Sequence, residues 1–474
     1  MSPPRIVILG AGPAGLGAAF QLARREVASV VVLEQQERVG GSAGSLELAG
    51  QRVDYGSHRL HPACDPAILA DIRGLLGKDL LDRPRHGRIR LQERWVHFPL
   101  KPLDLATHLP PGFALGTAAD MAKRVLRRRA AMGEETFASV LEAGLGRTIC
   151  REFYFPYAAK LWGVAPEQLS AIQATRRVSA DSLAKVLRKT LSAVPGLKPA
   201  GAGRFYYPRH GFGQISEAYH DAASAAGVEF HLGATVQGLA LRDDGGGRVS
   251  FAVHGAHFSL EADHIWCTIP VTDMARLLTP APPTEVLQAA SVLDSRAMLL
   301  IYLVLEQGRF TEYDAHYFPG PRIAISRLSE PKNYSDAELP RDTTVLCAEL
   351  PCSPTDPVWQ MTDDQLGRLV CDGLAAAGIP IRVPVRQVTA WRLRQAYPIY
   401  RRGYEAAFAE LDAWLGAVRG LLTFGRQGLF AHDNTHHALY MGYCAADCVG
   451  EDGRFDRERW QAFRQEFKGH VVED

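Results

Sequence analysis

"RIVILGAGPAGLGAAFQLARR", residues 5–25, passes from a short apolar stretch through Gly10, Gly12 and Gly15 into an amphipathic one. Ile6 to Leu9 reads as a strand, and Ala14 to Arg24 as a helix with its small residues on the inner side. A second strand pattern, "SVVVLE", closes at Glu34. In this strand–turn–helix–strand setting the glycines have separate jobs. Gly10 permits the tight turn, Gly12 lets the backbone approach a pyrophosphate, and Gly15 lets the helix pack closely on the strand. A dinucleotide's phosphates would then sit at the helix N-terminus, where free N–H groups and the dipole favour anions. Glu34 is placed to accept from a ribose hydroxyl and to repel a 2′-phosphate.

The residues that follow refine the expectation. "ERVGGSAGSLELAGQRVDYGSHRLHP", 37–62, puts Arg38, Val39, Gly40 and Gly41 shortly after Glu34, where a freely exchanging NAD site would continue into ordinary helix. Adjacent glycines let the backbone approach a ligand closely. Residues 45 to 55 alternate as a hairpin that delivers Gly56, His58 and His61 to a loop. From about residue 100 to 200 the pattern is helical, with candidates at 113–131, 135–146, 147–160 and 181–191. Strands return near 205 and recur at 228–241, 247–253, 264–270, 297–305 and 343–350, with helices at 363–377 and 404–416. A strand, a glycine turn and a small-residue helix come last. No internal repeat or low-complexity linker is visible, and the interleaving implies domains that share the chain discontinuously.

Composition narrows the function classes. At 474 residues the chain is too long for one core and reads as two or three domains. With 47% hydrophobic and 22% charged residues it reads as an ordinary globular protein. A net charge of +1 supplies no bulk attraction to nucleic acid or anionic membrane. The cysteines at 64, 150, 267, 347, 352, 371, 444 and 448 form no CxxC pair and no zinc spacing. They read as reduced core thiols of a cytoplasmic protein, with no metal site expected. The apolar run at Ile6 to Leu9 is too short for a signal peptide, and no stretch approaches the ~18 apolar residues of a membrane span. "RVLRRRAAM", 124–132, reads as a solvated basic helix face, with a membrane-surface or anionic-ligand patch as the alternative.

GAGPAG with Glu34, "ERVGG", "YGSHRLHP", "GFGQ" at 211–214 and "FGRQG" at 424–428 resemble the FAD-dependent superfamily of protoporphyrinogen oxidase, phytoene desaturase, amine oxidases and UDP-galactopyranose mutase. Three stretches are most similar to the mutases: "YGSHRLHP" at 55–62, "FYFPYAAKLWGVAPEQLSAIQATRR" at 153–177 and "IAISRLSEPKNYS" at 323–335. The resemblance implies an α/β fold. A discontinuous Rossmann-type FAD-binding domain, glutathione-reductase-like, would be built from 1–98, 201–290 and 396–474. A helical domain at 99–200 and a mixed-sheet substrate domain at 291–395 would complete it. It implies a cofactor site of Gly10, Gly12, Pro13, Ala14, Gly15, Glu34, Arg38, Gly40, Gly41, Gly56, Ser57, His58, Gly425, Arg426, Asp433 and Asn434.

Two chemistries follow from it. In the mutase type, reduced flavin N5 acts covalently on a nucleotide-linked sugar and isomerises pyranose and furanose rings; an external reductant would keep the flavin reduced. His58 and His61 would tune the flavin or move protons, and Arg176 and Arg327 would act as catalytic groups on the departing diphosphate. Two guanidiniums from distant segments suit that task, because each can bind a diphosphate bidentately. Trp162, Tyr397, Tyr400, Phe430 and His432 would complete the substrate site with them. In the oxidoreductase type, hydride passes from substrate to flavin, and "HFPLKPLDLATHLPPGFAL" and "QAYPIY" would wall an apolar tunnel. Each arginine also has a plain reading as a structural ion pair, and Trp162 one as a core residue. One departure is visible: where the mutases carry a tyrosine that reaches the diphosphate, this chain has Leu429-Phe430-Ala431-His432-Asp433-Asn434. Phe430 cannot donate, which leaves His432, Tyr397, Tyr400 and Tyr404 as alternatives. Self-association is left open.

Overall fold

Ile6, Val7, Ile8 and Leu9 are completely buried, as befits a central strand of a parallel sheet covered on both faces. The computed structural model describes residues 3–99, 104, 107–126, 135–177 and 203–472. Its five-stranded sheet runs in the order Leu421–Thr423, His264–Cys267, Arg5–Leu9, Ser29–Leu33, Glu229–His231. All neighbours are parallel, and Ile8 lies between Trp266 and Val32. Sequence-distant segments thus build one sheet, the discontinuous Rossmann-type arrangement expected.

The Pro13–Arg25 helix starts with proline in its first turn, where a missing N–H costs nothing. It packs against the Thr435–Asp447 helix through glycines: a Cβ on Gly442 would stand 2.3 Å from the Ala14 carbonyl oxygen, and one on Gly17 2.9 Å from that of Leu439. Only bare backbone permits that approach.

A seven-stranded mixed sheet carries the other half of the candidate site. Its order is Val385–Pro398, Ser295–Leu305, Thr344–Cys352, Arg327–Ser329, Ala315–Tyr317, Gly87–Leu91, Arg94–Phe98. One face packs on the Asp363–Ala376 helix through Leu299, Ile301, Leu366 and Val370; the other meets Val53 of the 45–54 hairpin through Leu300, Tyr302 and Val345. Two elements depart from the expected division. Gly87–Leu91 and Arg94–Phe98, placed by sequence with 1–98, are hydrogen-bonded into this sheet, Gly87 opposite Ala315. Val385–Pro398 runs across the 395/396 boundary. Alternation in "GRIRLQERWVHF" specifies a hairpin but says nothing about which sheet it joins.

The helical segment surrounds a core of Phe137, Leu141, Leu161, Trp162 and Leu169. The helix expected at 147–160 is interrupted by a π turn at Cys150–Tyr154 before Phe155–Trp162. The helix expected at 181–191 and residues 127–132 of the basic cluster lie outside the described residues. All eight cysteines are free, and all but Cys371 are buried. Among the described residues no helix is long and apolar enough to cross a membrane.

Candidate functional site

The glycine loop folds as its spacing requires. Gly10 has φ +103° and donates to the Leu33 carbonyl at 2.8 Å, and a Cβ on Gly15 would lie 2.0 Å from the Gly10 oxygen. A second glycine turn faces it. Gly40 (φ +111°) donates to the Ala11 carbonyl at 2.8 Å, and a Cβ on Gly41 would stand 3.3 Å from the Gly12 Cα. Gly12 and Gly41 therefore present bare backbone to each other at the helix N-terminus. Glu34 is buried; its carboxylate accepts the N–H groups of Ala11 at 2.8 Å and Gln36 at 2.9 Å. Burial pushes its carboxyl up, against the pull of those N–H groups. Arg38 is exposed. From the far end of the chain, Gly425 (φ +80°) comes so near that a Cβ would lie 2.6 Å from that of Ala14.

The loop after the hairpin is held by buried carboxylates. Asp54 accepts from Ser45 Oγ and Tyr207 OH, both at 2.6 Å, and from the Phe212 N–H at 2.8 Å. Gly56 (φ +92°) turns the chain so that the Ser57 N–H reaches Glu349 at 2.8 Å. The Glu349 carboxylate also takes the Arg327 guanidinium in a two-pronged pair, both contacts at 2.8 Å, with only 15% and 4% of the two side chains exposed. His58 lies on Phe212, ring centroids 5.3 Å apart, and its Nε2 meets the Tyr55 carbonyl at 3.0 Å. Burial pulls His58 below its ordinary value, so its neutral form donates from Nε2. His61 stands apart in the next turn, its Nδ1 accepting the Ala63 N–H at 3.1 Å.

The residues expected to hold substrate divide into two sets. Trp162, Tyr400, Phe430 and His432 are core residues, 3%, 1%, 6% and 1% exposed. Tyr400 stacks on Tyr404 at 4.2 Å; its hydroxyl donates to the Phe430 carbonyl at 3.0 Å and accepts the His432 N–H at 3.2 Å. His432 Nε2 meets the Pro398 carbonyl at 2.9 Å. The Tyr400 hydroxyl and the His432 Nε2 are thus both engaged with backbone groups of the fold. Arg176, Arg327 and Tyr397 are partly exposed. Arg176 Nη1 lies 3.3 Å from the Tyr400 hydroxyl, Tyr397 stacks on His432 at 5.8 Å, and Arg426 covers the Tyr397 ring at 5.0 Å while donating to the Ala396 carbonyl. Arg176 thus stands at the Tyr400 end of one aromatic wall, Tyr397–His432–Tyr400, and at its other end Tyr397 acts electrostatically on Arg327. Asn434 caps the Thr435–Asp447 helix, and the Asp433 carboxylate before it is buried, with no hydrogen-bond partner on either oxygen among the described residues.

The profile of the family described as flavin containing amine oxidoreductase matches residues 13–444. The chain belongs to that family. Polyamine oxidase 4 of Oryza sativa subsp. japonica is 37% identical over 79 residues, 17% of this chain and 16% of that protein. Protoporphyrinogen oxidase of Bos taurus is 26% identical over 321 residues, 63% of this chain and 66% of that one. The chain therefore aligns with less than two thirds of either curated relative. A crystal structure of reduced UDP-galactopyranose mutase superposes with TM-score 0.80 at 20% identity, over 95% of this chain and 94% of that one, a likeness of fold.

The flavoenzyme's cofactor is FAD. Two features of the chain fit that group: the facing bare backbones of Gly12 and Gly41 suit a pyrophosphate, and the orphaned Asp433 carboxylate suits a ligand hydroxyl. Sequence reasoning missed Glu349, although its signal is present: a single charge in the otherwise apolar strand "TVLCAELPC". It also missed Lys160, which lies inside the quoted motif and donates to the carbonyls of Phe318, Gly320, Ile323 and Ile325.

Proposed function

We propose that this flavoenzyme acts on a nucleotide-linked sugar and isomerises its ring without net oxidation. The observation that carries the reading is the pair of partly exposed arginines, Arg176 and Arg327, at the two ends of the Tyr397–His432–Tyr400 wall. A neutral lipid or amine has no use for two guanidiniums bordering one site, whereas a diphosphate does. FAD would be held by the Gly10–Gly15 loop, Glu34, Gly40 and Gly41, with Asp433 and Asn434 at the start of the Thr435–Asp447 helix. Reduced flavin supplies a nucleophile for the anomeric carbon. The chain's own part is to bind the diphosphate as its charge grows and to keep His58 neutral beside the site.

A second reading, hydride transfer from substrate to flavin, is favoured by one observation: Glu349 already balances the Arg327 charge. One experiment separates the two. The flavin is reduced once under anaerobic conditions, and UDP- and dTDP-sugars are supplied. Many turnovers per reduction support the isomerase reading, and stoichiometric consumption of an electron acceptor supports hydride transfer. Calorimetric titration of UDP and dTDP adds a binding test: Arg176→Ala and Arg327→Ala should each weaken affinity about 10- to 100-fold with flavin content unchanged.

A further inference from the structure

The end of the described chain returns to the candidate site. Beyond the Arg457–Phe467 helix, Val472 donates its N–H to the Arg176 carbonyl at 2.9 Å, and the His470 ring lies on the His437 ring, centroids 4.2 Å and planes 13° apart. Both imidazoles present Nδ1 to the same oxygen of Asp433, His470 at 3.4 Å and His437 at 3.6 Å. The Asp433 side chain is 0% exposed, and neither oxygen accepts a hydrogen bond from any described residue at ordinary length. A carboxylate so placed needs a donor or counter-charge close by.

The two imidazoles are not equivalent. His437 Nδ1 receives the Asn434 N–H at 3.3 Å in the cap of the Thr435–Asp447 helix, so its lone pair is on that nitrogen. Burial, reinforced by His436, His470 and Arg176, pulls His437 down to about 2 and keeps it neutral. It cannot donate to Asp433 from Nδ1. His470 Nδ1 is buried and has no hydrogen bond to any other described residue, and its approach to a carboxylate is attractive only as an N–H. The other charged or titratable groups around this point include Arg176 from the Ala171–Arg177 helix, Arg426 from the glycine turn, Tyr400, His436, whose ring lies 4.2 Å from that of His437, and Tyr440, 6.2 Å from His470. The Tyr400 hydroxyl already donates to Phe430. A metal ion shared by the three side chains is disfavoured by the stacking, because lone pairs lying in two nearly parallel planes do not converge on one point.

We propose that His470 is a positioning residue: its Nδ1–H is the partner that orients the Asp433 carboxylate in the flavin site, and the Val472–Arg176 bond anchors the strap that carries it. This rests on the reading that Asp433 faces the cofactor. The test uses holoenzyme and follows FAD release by recovery of flavin fluorescence. His470→Leu keeps volume without a donor, and His470→Asn places an amide N–H near the position of Nδ1. The expected result is about 10-fold faster release in His470→Leu, largely restored in His470→Asn, with little further effect of His470→Leu in an Asp433→Asn background. His470→Asn releasing FAD as fast as His470→Leu would overturn the proposal, as would an undiminished effect beside Asp433→Asn. So would stoichiometric Zn(II) uptake abolished by either substitution. If Asp433→Asn alone holds FAD like wild type, the placement of Asp433 fails. The pairing is then judged separately by the coupling of the two substitutions in urea unfolding, where additivity overturns it.

Discussion

Gly12 and Gly15 stand three residues apart in the same loop and answer to different constraints. A Cβ on Gly15 would sit 2.0 Å from the Gly10 oxygen, inside the protein's own backbone, whereas one on Gly12 would meet, among the described residues, the Gly41 Cα first, at 4.0 Å. Gly15→Ala should therefore destabilise the apoprotein itself. Gly12→Val should fold, unfold in urea near the wild-type midpoint as apoprotein, and purify without flavin colour. A fully yellow Gly12→Val protein would contradict the assignment of this loop to the cofactor. Glu349 carries a second residue-scale expectation, because it neutralises a guanidinium that is itself mostly buried. Breaking a buried pair by removing one partner costs about 3–5 kcal/mol, so Glu349→Gln should lose stability of that order in urea unfolding. A loss under about 1 kcal/mol would mean that Arg327 finds another partner or water.

At the scale of elements, local pattern was readable and tertiary pairing was not. The Arg5–Leu9 strand, the Pro13–Arg25 helix and the 45–54 hairpin were legible because glycine spacing and periodicity act within a dozen residues. The attachment of Gly87–Leu91 to Ala315–Tyr317 was not, since it depends on a partner more than two hundred residues away. Nor could spacing reveal that Tyr400 and His432 turn into the core, as their hydrogen bonds run to backbone atoms of other elements. His316, on the Ala315–Tyr317 strand, shows what such pairing imposes. It is 1% exposed, neither ring nitrogen has a hydrogen bond among the described residues, and burial, with Arg88 adding to it, pulls it down to about 3. Its folded value lies below the unfolded 6.5, so between those values the unfolded chain binds more protons. Stability is then fully present above about pH 6.5 and falls as the solution is acidified. From pH 7 to pH 5 the loss from this residue amounts to about 2 kcal/mol. Urea unfolding at the two pH values should show His316→Leu losing that much less than wild type, and equal losses would refute the attribution.

At the scale of the whole molecule, the candidate site depends on segments that share no sheet. The glycine loop belongs to the parallel sheet, Arg327 to the seven-stranded sheet, and Trp162 and Arg176 to the helical segment. Lys160 joins the last two: from the Phe155–Trp162 helix its ammonium donates to the carbonyls of Gly320 at 2.6 Å, Ile323 at 2.7 Å and Ile325 at 3.2 Å, and to that of Phe318. Those carbonyls lie on the stretch leading into the Arg327–Ser329 strand, so this side chain ties the helix bearing Trp162 to the approach to the strand bearing Arg327. Lys160→Met keeps the apolar stem and removes the donor. Leaving buried carbonyls unpaired costs about 1–3 kcal/mol, and the loosened stretch should become the first site of limited proteolysis, within 318–325. Flavin content should not change, because the Gly10–Gly15 loop and its neighbours are built without Lys160. On the nucleotide-sugar reading proposed above, nucleotide affinity should fall, because Arg327 loses its fixed relation to the helical segment. Lys160→Arg, which retains the charge but spreads its donors over a plane, should restore stability only in part. A Lys160→Met protein with wild-type protease resistance at 318–325 and unchanged nucleotide affinity would show that the clip holds nothing the site uses. Loss of flavin in the same variant would show instead that the segments are coupled more widely than their hydrogen bonds indicate.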